Sequence, residues 1–240
     1  MPDIPDRDDL EREYARAVSR LLKKLAGDLL ETLGDPPNLD NLNNEFWDAR
    51  TKEALSILLP FGENIFLAAA QRMMASNPAG VDWDLVNEAA VDWASKYTFD
   101  LVRDIRAKDM IYLQKMVSAY YREGQNRGQL EERIRRRYGP VRAEMIAVTE
   151  ITRAAALGEF QSITELWKSG IHMIATWQTN ADELVCPICR PLNGRKADRY
   201  DAVTGQPYWR HPETGIEYSI NPPHPRDRCW RNYELPKVGR

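Results

Sequence analysis

Cys186-Pro-Ile-Cys189 and, further along, Pro222-Pro-His-Pro-Arg-Asp-Arg-Cys229 together hold every cysteine of this 240-residue chain and the histidine, His224, that decides how they are read. Three thiolates and one imidazole make a closed shell for Zn(II): soft sulfur and borderline nitrogen satisfy the ion and leave no position for water. The spacing predicts a structural zinc ion on Cys186, Cys189, His224 and Cys229, with His211 as a reserve donor. A thioredoxin-type redox pair is the alternative reading of Cys-x-x-Cys. It leaves the distant His224 and Cys229 unexplained, and no βαβ pattern surrounds it.

Just before the knuckle, Ile171, Met173, Ala175 and Trp177 alternate with His172, Ile174, Thr176 and Gln178, the period of a strand that leads into the first ligand pair. His172 falls on the strand surface. Between the pairs, turn residues (Asn193-Gly194, Thr204-Gly205, Thr214-Gly215) separate Tyr200, Tyr208, Trp209 and Tyr218, which predicts short strands and hairpins. So few apolar residues leave much of the stability to the metal, which in small modules supplies on the order of 10 kcal/mol.

Upstream the period changes to that of helices. Asp8 and Glu11 have the spacing of a capping box, and Leu10, Tyr14, Ala17, Leu21, Leu25 and Leu29 follow as one stripe up to Gly34, with Arg12, Arg16, Arg20, Lys23 and Lys24 on a solvated face. A second helical stretch, 42–76, is expected to kink or break at Pro60-Phe61-Gly62. Asn77-Pro-Ala-Gly80 reads as a turn, and Asp82 as the cap of a third element with Trp83, Val86, Ala90, Trp93 and Tyr97 along one side. A fourth covers roughly 110–122. Gly124 and Gly128 mark a hinge, 130–138 is a short helix, and a long helix from Val141 runs to Lys168 and Gly170, with Glu150 and Arg153 spaced as a structural ion pair. The fold class is α+β: a mainly helical N-terminal two-thirds followed by a small zinc-stabilised β-rich C-terminal module. The expected division is a helical scaffold at 1–121, a connector with the long helix at 122–170, and the zinc-binding module at 171–240.

The net charge of −3 argues against nucleic acid as the main partner, although 14 basic and 21 acidic residues in 1–121 stand against 19 and 15 in 122–240. Arg133, Arg135, Arg136 and Arg137 are the densest basic cluster and the candidate contact for nucleic-acid phosphates or an acidic partner, diluted by Glu131 and Glu132. No run of eighteen apolar residues and no signal-peptide plan occurs, and cysteines taken up by metal suit a chain made inside a cell. Gly-rich phosphate loops, His-Glu-x-x-His and Gly-x-Ser-x-Gly are absent from the helical half.

The order Ala143-Glu-Met-Ile-Ala-Val-Thr-Glu-Ile-Thr-Arg-Ala154, Gly170-Ile171, Trp177, Asp182, Cys186-Pro-x-Cys189, Asn193-Gly194, Pro222-Pro-His-Pro and Arg228-Cys229 resembles the phage head morphogenesis family, the phage Mu F-like and SPP1-type minor head proteins. The resemblance covers roughly residues 120–233. It departs at the end: family members often close with His-x-x-Cys-Arg-Cys, whereas here four residues separate His224 from Cys229 and Trp230-Arg231 follows. The resemblance implies a non-enzymatic minor component of a tailed-phage or prophage virion. Such a protein associates with the portal and with capsid or scaffolding proteins, and acts in head assembly, genome packaging or delivery after assembly in the host cytoplasm.

Two other readings stand beside it. One is a DNA-binding zinc module that uses the arginine cluster. The other is a zinc-supported nuclease in which His211 or His224 activates water and Asp201 or Asp227 holds a second cation.

Overall fold

The structure, a computed structural model, describes residues 6–75, 83–180 and 185–236. The Asn77–Gly80 turn, the Asp82 cap and Asp182 lie outside the described residues. Among the described residues five α-helices come first, α1 (Arg7–Leu33), α2 (Asn44–Ala75), α3 (Trp83–Glu123), α4 (Arg127–Arg137) and α5 (Pro140–Lys168). Five short strands follow, β1 (Ile174–Gln178), β2 (Arg199–Tyr200), β3 (Pro207–Arg210), β4 (Glu217–Tyr218) and β5 (Trp230–Glu234). The chain is mostly helical with a small strand-containing C-terminal part. By its contacts it divides into two units, residues 11–61 with 93–147, and residues 1–10 with 62–92 and 148–240.

In the first unit, α1 buries Tyr14, Ala17, Val18, Leu22, Leu29 and Leu33. Leu21 and Leu25 line a cavity of about 70 Å³ with Trp47, Leu58 and Val102. The helix begins one residue before the expected cap: the Asp6 carbonyl accepts from Asp9 and Leu10 N–H, and Asp8 lies inside the first turn, where its charge complements the helix dipole. At the other end, Arg127 donates to the Leu30 carbonyl (2.6 Å) and to that of Gly34, satisfying acceptors the helix leaves open. A capping box of Asn126 and Gln129 starts α4.

Two expected breaks are not breaks. Pro60 sits inside a continuous α2; it removes one backbone bond, but Leu58, Ile65, Phe66, Ala69 and Ala70 are buried on either side of it and hold the helix through. The division between the units still falls between Phe61 and Gly62. The third and fourth elements are likewise one helix of 41 residues, because no glycine or proline occurs within 83–123. Among the described residues α2 is the one helix long and apolar enough to cross a membrane by length and composition alone; its Arg50 and Glu53 pair with Asp28 (2.6 Å) and Lys24 (2.5 Å) of α1.

The second unit carries the site. Phe66 of α2 lies against Gly158 of α5 so closely that any Cβ at 158 would overlap the Phe66 carbonyl. Arg72 of α2 pairs with the buried Glu159. Gly170, at φ +80°, ends α5 with Ile171 N–H on the Leu166 carbonyl (2.9 Å), a left-handed stop that turns the chain into β1. β1 pairs antiparallel with β5, and β2-β3-β4 form a separate antiparallel sheet. The expected alternation holds, since Met173, Ala175 and Trp177 are buried. The β1–β5 register sets Trp177 opposite Arg231, so the Arg231 guanidinium covers the Trp177 ring at 3.5 Å while Trp209 meets Trp177 edge-on at 5.3 Å. With Ile163, Leu166, Leu192, Cys189, Cys229 and Tyr233 the two tryptophans form one cluster. The lobe thus has more apolar core than its turn-rich sequence implies, because α5 and two fully buried tryptophans serve it.

Candidate metal centre

A 3-10 turn at Arg190–Leu192 closes the first ligand pair: Arg190 N–H bonds the Cys186 carbonyl (3.0 Å) and Cys189 N–H donates to Cys186 Sγ (3.3 Å). Both thiols therefore sit on one side of a tight knuckle. Cys186 is half-buried, and Cys189 and Cys229 are buried. His224 Nε2 lies 2.9 Å from Cys186 Sγ and 3.5 Å from Cys189 Sγ. Its Nδ1 is 2.8 Å from the Pro225 carbonyl, which fixes the proton there and leaves the Nε2 lone pair aimed at the thiols. Two groups of donors result, Cys186–Cys189–His224 and Cys189–Asp227–Cys229, with Cys189 common to both. The four expected donors lie close enough to hold a metal ion.

The chemistry of this cluster fits a cation. The Cys189 thiol is held far above its ordinary range, first by its hydrogen bond with Cys229, then by burial, then by the negative charge of Asp227. Crowded, buried anionic donors are unfavourable together; a bound cation takes up their charge and deprotonates the thiols.

How the second ligand pair reaches the first was not legible from ligand spacing. Arg226 takes a left-handed φ of +63°, uncommon for a side chain of its kind, and turns the chain between His224 and Cys229. Its N–H donates to Thr149 Oγ1 (2.9 Å), and Thr152 Oγ1 donates to the Asp227 carbonyl (2.6 Å). Arg7 of α1 donates to Thr152 Oγ1 and, at 3.3 Å, to the Arg228 carbonyl, while Arg228 reaches Asp8 (2.9 Å). The Thr-Glu-Ile-Thr run of α5 is thus the clamp on the metal loop. Thr152→Val keeps the shape and removes the hydroxyl; it is expected to cost about 1–3 kcal/mol and to weaken zinc affinity roughly tenfold, read by thermal melts and a competitive chelator titration. Unchanged affinity would detach the clamp from the site.

Residues 113–229 match the family model described as Phage Mu protein F like protein. The matched region is phage Mu F-like, which supports a phage head morphogenesis family. The search of curated proteins finds no match, nor does that of solved structures. The Mu F-like region holds α4, α5 and every donor of the centre; Arg7 and Asp8, which brace its metal loop, lie before it.

Other candidates in the Mu F-like region are engaged elsewhere. His211, the reserve donor, is buried in a turn where Nδ1 accepts Glu213 and Thr214 N–H (both 3.2 Å), and it is in neither donor group. Ten residues earlier Asp201 Oδ1 accepts Val203 and Thr204 N–H in the same way, and each turn closes with a left-handed glycine, Gly205 or Gly215, bonded back to residue 201 or 211. The matching Asp-x-x-Thr-Gly and His-x-x-Thr-Gly were the sequence signal that His211 is a turn cap. His211→Asp should keep both stability and metal content, while His211→Ala should cost about 1–2 kcal/mol for the lost acceptors; loss of metal in His211→Asp would restore it as a ligand.

The arginine cluster is divided. Arg137 pairs with buried Asp109 (3.6 Å) and covers the Tyr112 ring at 4.8 Å, and Arg133 donates to Gln125 (3.2 Å), leaving Arg135 and Arg136 as its exposed members. Glu150 and Arg153 stand 4.0 Å apart. Burial governs both: it pushes the Glu150 carboxyl up to about 8 and the Arg153 guanidinium down. A carboxyl raised in the folded state leaves stability intact below its unfolded value near 4.5 and erodes it as pH rises toward 8, flat beyond. Glu150→Gln is therefore expected to stabilise the protein at pH 9 and change little at pH 4.5; equal effects at both would contradict a buried, raised carboxyl.

Proposed function

We propose that this protein is a structural minor head protein of a tailed phage or prophage, in which zinc on Cys186, Cys189, His224 and Cys229 fixes residues 171–240 as a docking module. The Mu F-like match over residues 113–229 carries this reading. It is supported by the clamp from α5, which makes the family's helical segment and the donor loop a single device. Zinc here supplies a cross-link between distant chain segments. The chain's own residues do the rest: Thr149 and Thr152 seat the loop, Pro225 orients His224, and the paired tryptophans give the lobe a fixed shape to present. Residues 1–121 act as the helical scaffold and 122–170 as the connector.

On this reading the docking partner is the portal, with capsid or scaffolding proteins as neighbours during assembly in the host cytoplasm, and the protein is part of the virion head near the portal. Head assembly is the process it serves, with genome packaging or delivery beside it. Cross-linking mass spectrometry of assembled particles tests it. Links from the exposed Lys196 of the lobe to the portal are expected; a chain found in particles but linked only to other head proteins would remove the portal role, and a chain absent from particles would remove the whole reading.

A further inference from the structure

We infer that Asp227 is itself a metal ligand, so that the centre offers a carboxylate oxygen beside its thiolates and imidazole. The inference rests on the metal-centre reading above and deepens it. Asp227 is 1% exposed. Its Oδ1 lies 3.5 Å from Cys189 Sγ and 3.9 Å from His224 Nε2, and accepts Cys229 N–H at 3.2 Å. It thereby stands beside three of the four expected donors, and an ion seated among Cys189, His224 and Cys229 has this carboxylate as an immediate neighbour. The second oxygen, Oδ2, is buried with no hydrogen-bond partner. A buried carboxylate oxygen is satisfied by donors or by a cation; the buried Arg231 guanidinium acts on Asp227 through its charge without a hydrogen bond to Oδ2, and the nearest side chains include thiols that lose their protons when a metal binds. Thr152 fixes the Asp227 backbone from the far side through its carbonyl, so the side chain is held where it is by the fold.

The site class changes accordingly. An all-sulfur-and-nitrogen shell selects soft and borderline ions, whereas an added carboxylate extends it toward harder divalent ions such as manganese. The loop thus contributes donors at 224, 227 and 229.

Zinc-edge X-ray absorption on the zinc-loaded full chain is the test. The expected result is a first shell in which a histidine nitrogen and a carboxylate oxygen accompany sulfur. A shell of three sulfurs and one nitrogen carrying the outer-shell scattering of imidazole, with no carboxylate oxygen, would overturn the assignment while leaving the structural-zinc reading intact; a chain that takes up no zinc would overturn both. Cobalt titration of Asp227→Asn, which keeps the acceptor for Cys229 N–H, gives an independent readout. The visible ligand-field bands should move while the sulfur charge-transfer intensity stays constant, with cobalt affinity weakened at least about tenfold. Unmoved bands would remove Asp227 from the shell.

Discussion

Cys189→Ser should abolish stoichiometric zinc binding and melt the C-terminal lobe well below the temperature at which the helices unfold. Cys189 is the donor common to both groups, so its loss opens both, whereas Cys186→Ser disrupts one and removes a half-buried thiol. Zinc binding in small modules is worth on the order of 10 kcal/mol. The aromatic residues of the lobe are unchanged by the substitution and still favour burial, so the expected loss is part of that figure, still the largest for any single change in the protein. Near-ultraviolet dichroism, dominated in the lobe by the Trp177–Trp209 pair, follows the lobe; far-ultraviolet dichroism follows the helices. Loss of the first with the second retained is the expected outcome. A single transition shared by Cys189→Ser and the unsubstituted chain at the same temperature would mean the thiol does not hold the lobe.

Trp177→Ala is expected to cost about 3–5 kcal/mol and to lower zinc affinity with it. The ring is fully buried, meets Trp209 edge-on and lies under the Arg231 guanidinium. Arg231 is 3% exposed, and burial already draws its guanidinium down from its ordinary value. Without the ring below it, the cation loses its π face while its bond to the Ser219 carbonyl (3.1 Å) remains. Arg231→Met, which fills similar space without charge, should be far milder than Trp177→Ala, because replacing a buried charge by an apolar side chain removes a desolvation cost along with its contacts. Equal losses from the two would place the stability in the charge rather than in the aromatic packing. Zinc titrations on both variants separate packing from coordination.

That Cys186, Cys189, His224 and Cys229 come close enough to hold a metal was legible because such thiol and imidazole pairs are rare and their spacing is restrictive. The strand β1 was legible because alternation over Ile171–Gln178 has no other reading. What the sequence hid was set by contacts between distant segments. Pro60 reads locally as a break, yet burial on both sides carries α2 through it. The Thr149 and Thr152 hydroxyls resemble ordinary helix positions until the 226–227 backbone arrives on them. Asp227 enters the sequence reading only as a second-cation holder of the nuclease alternative, and the fold shows that it is buried beside the thiols. His211 is the reverse: its role is written in a turn pattern repeated ten residues apart, although its imidazole also has the chemistry of a metal ligand.

On the proposed reading a metal ion, taken up by donors far apart in sequence, locks the Mu F-like lobe into its shape. Elemental analysis of the purified full chain, run with near-ultraviolet dichroism before and after a strong chelator, tests it most directly. The prediction is a stoichiometric zinc ion whose removal erases the tryptophan signal and whose return restores it. A metal-free chain with that signal intact would contradict it.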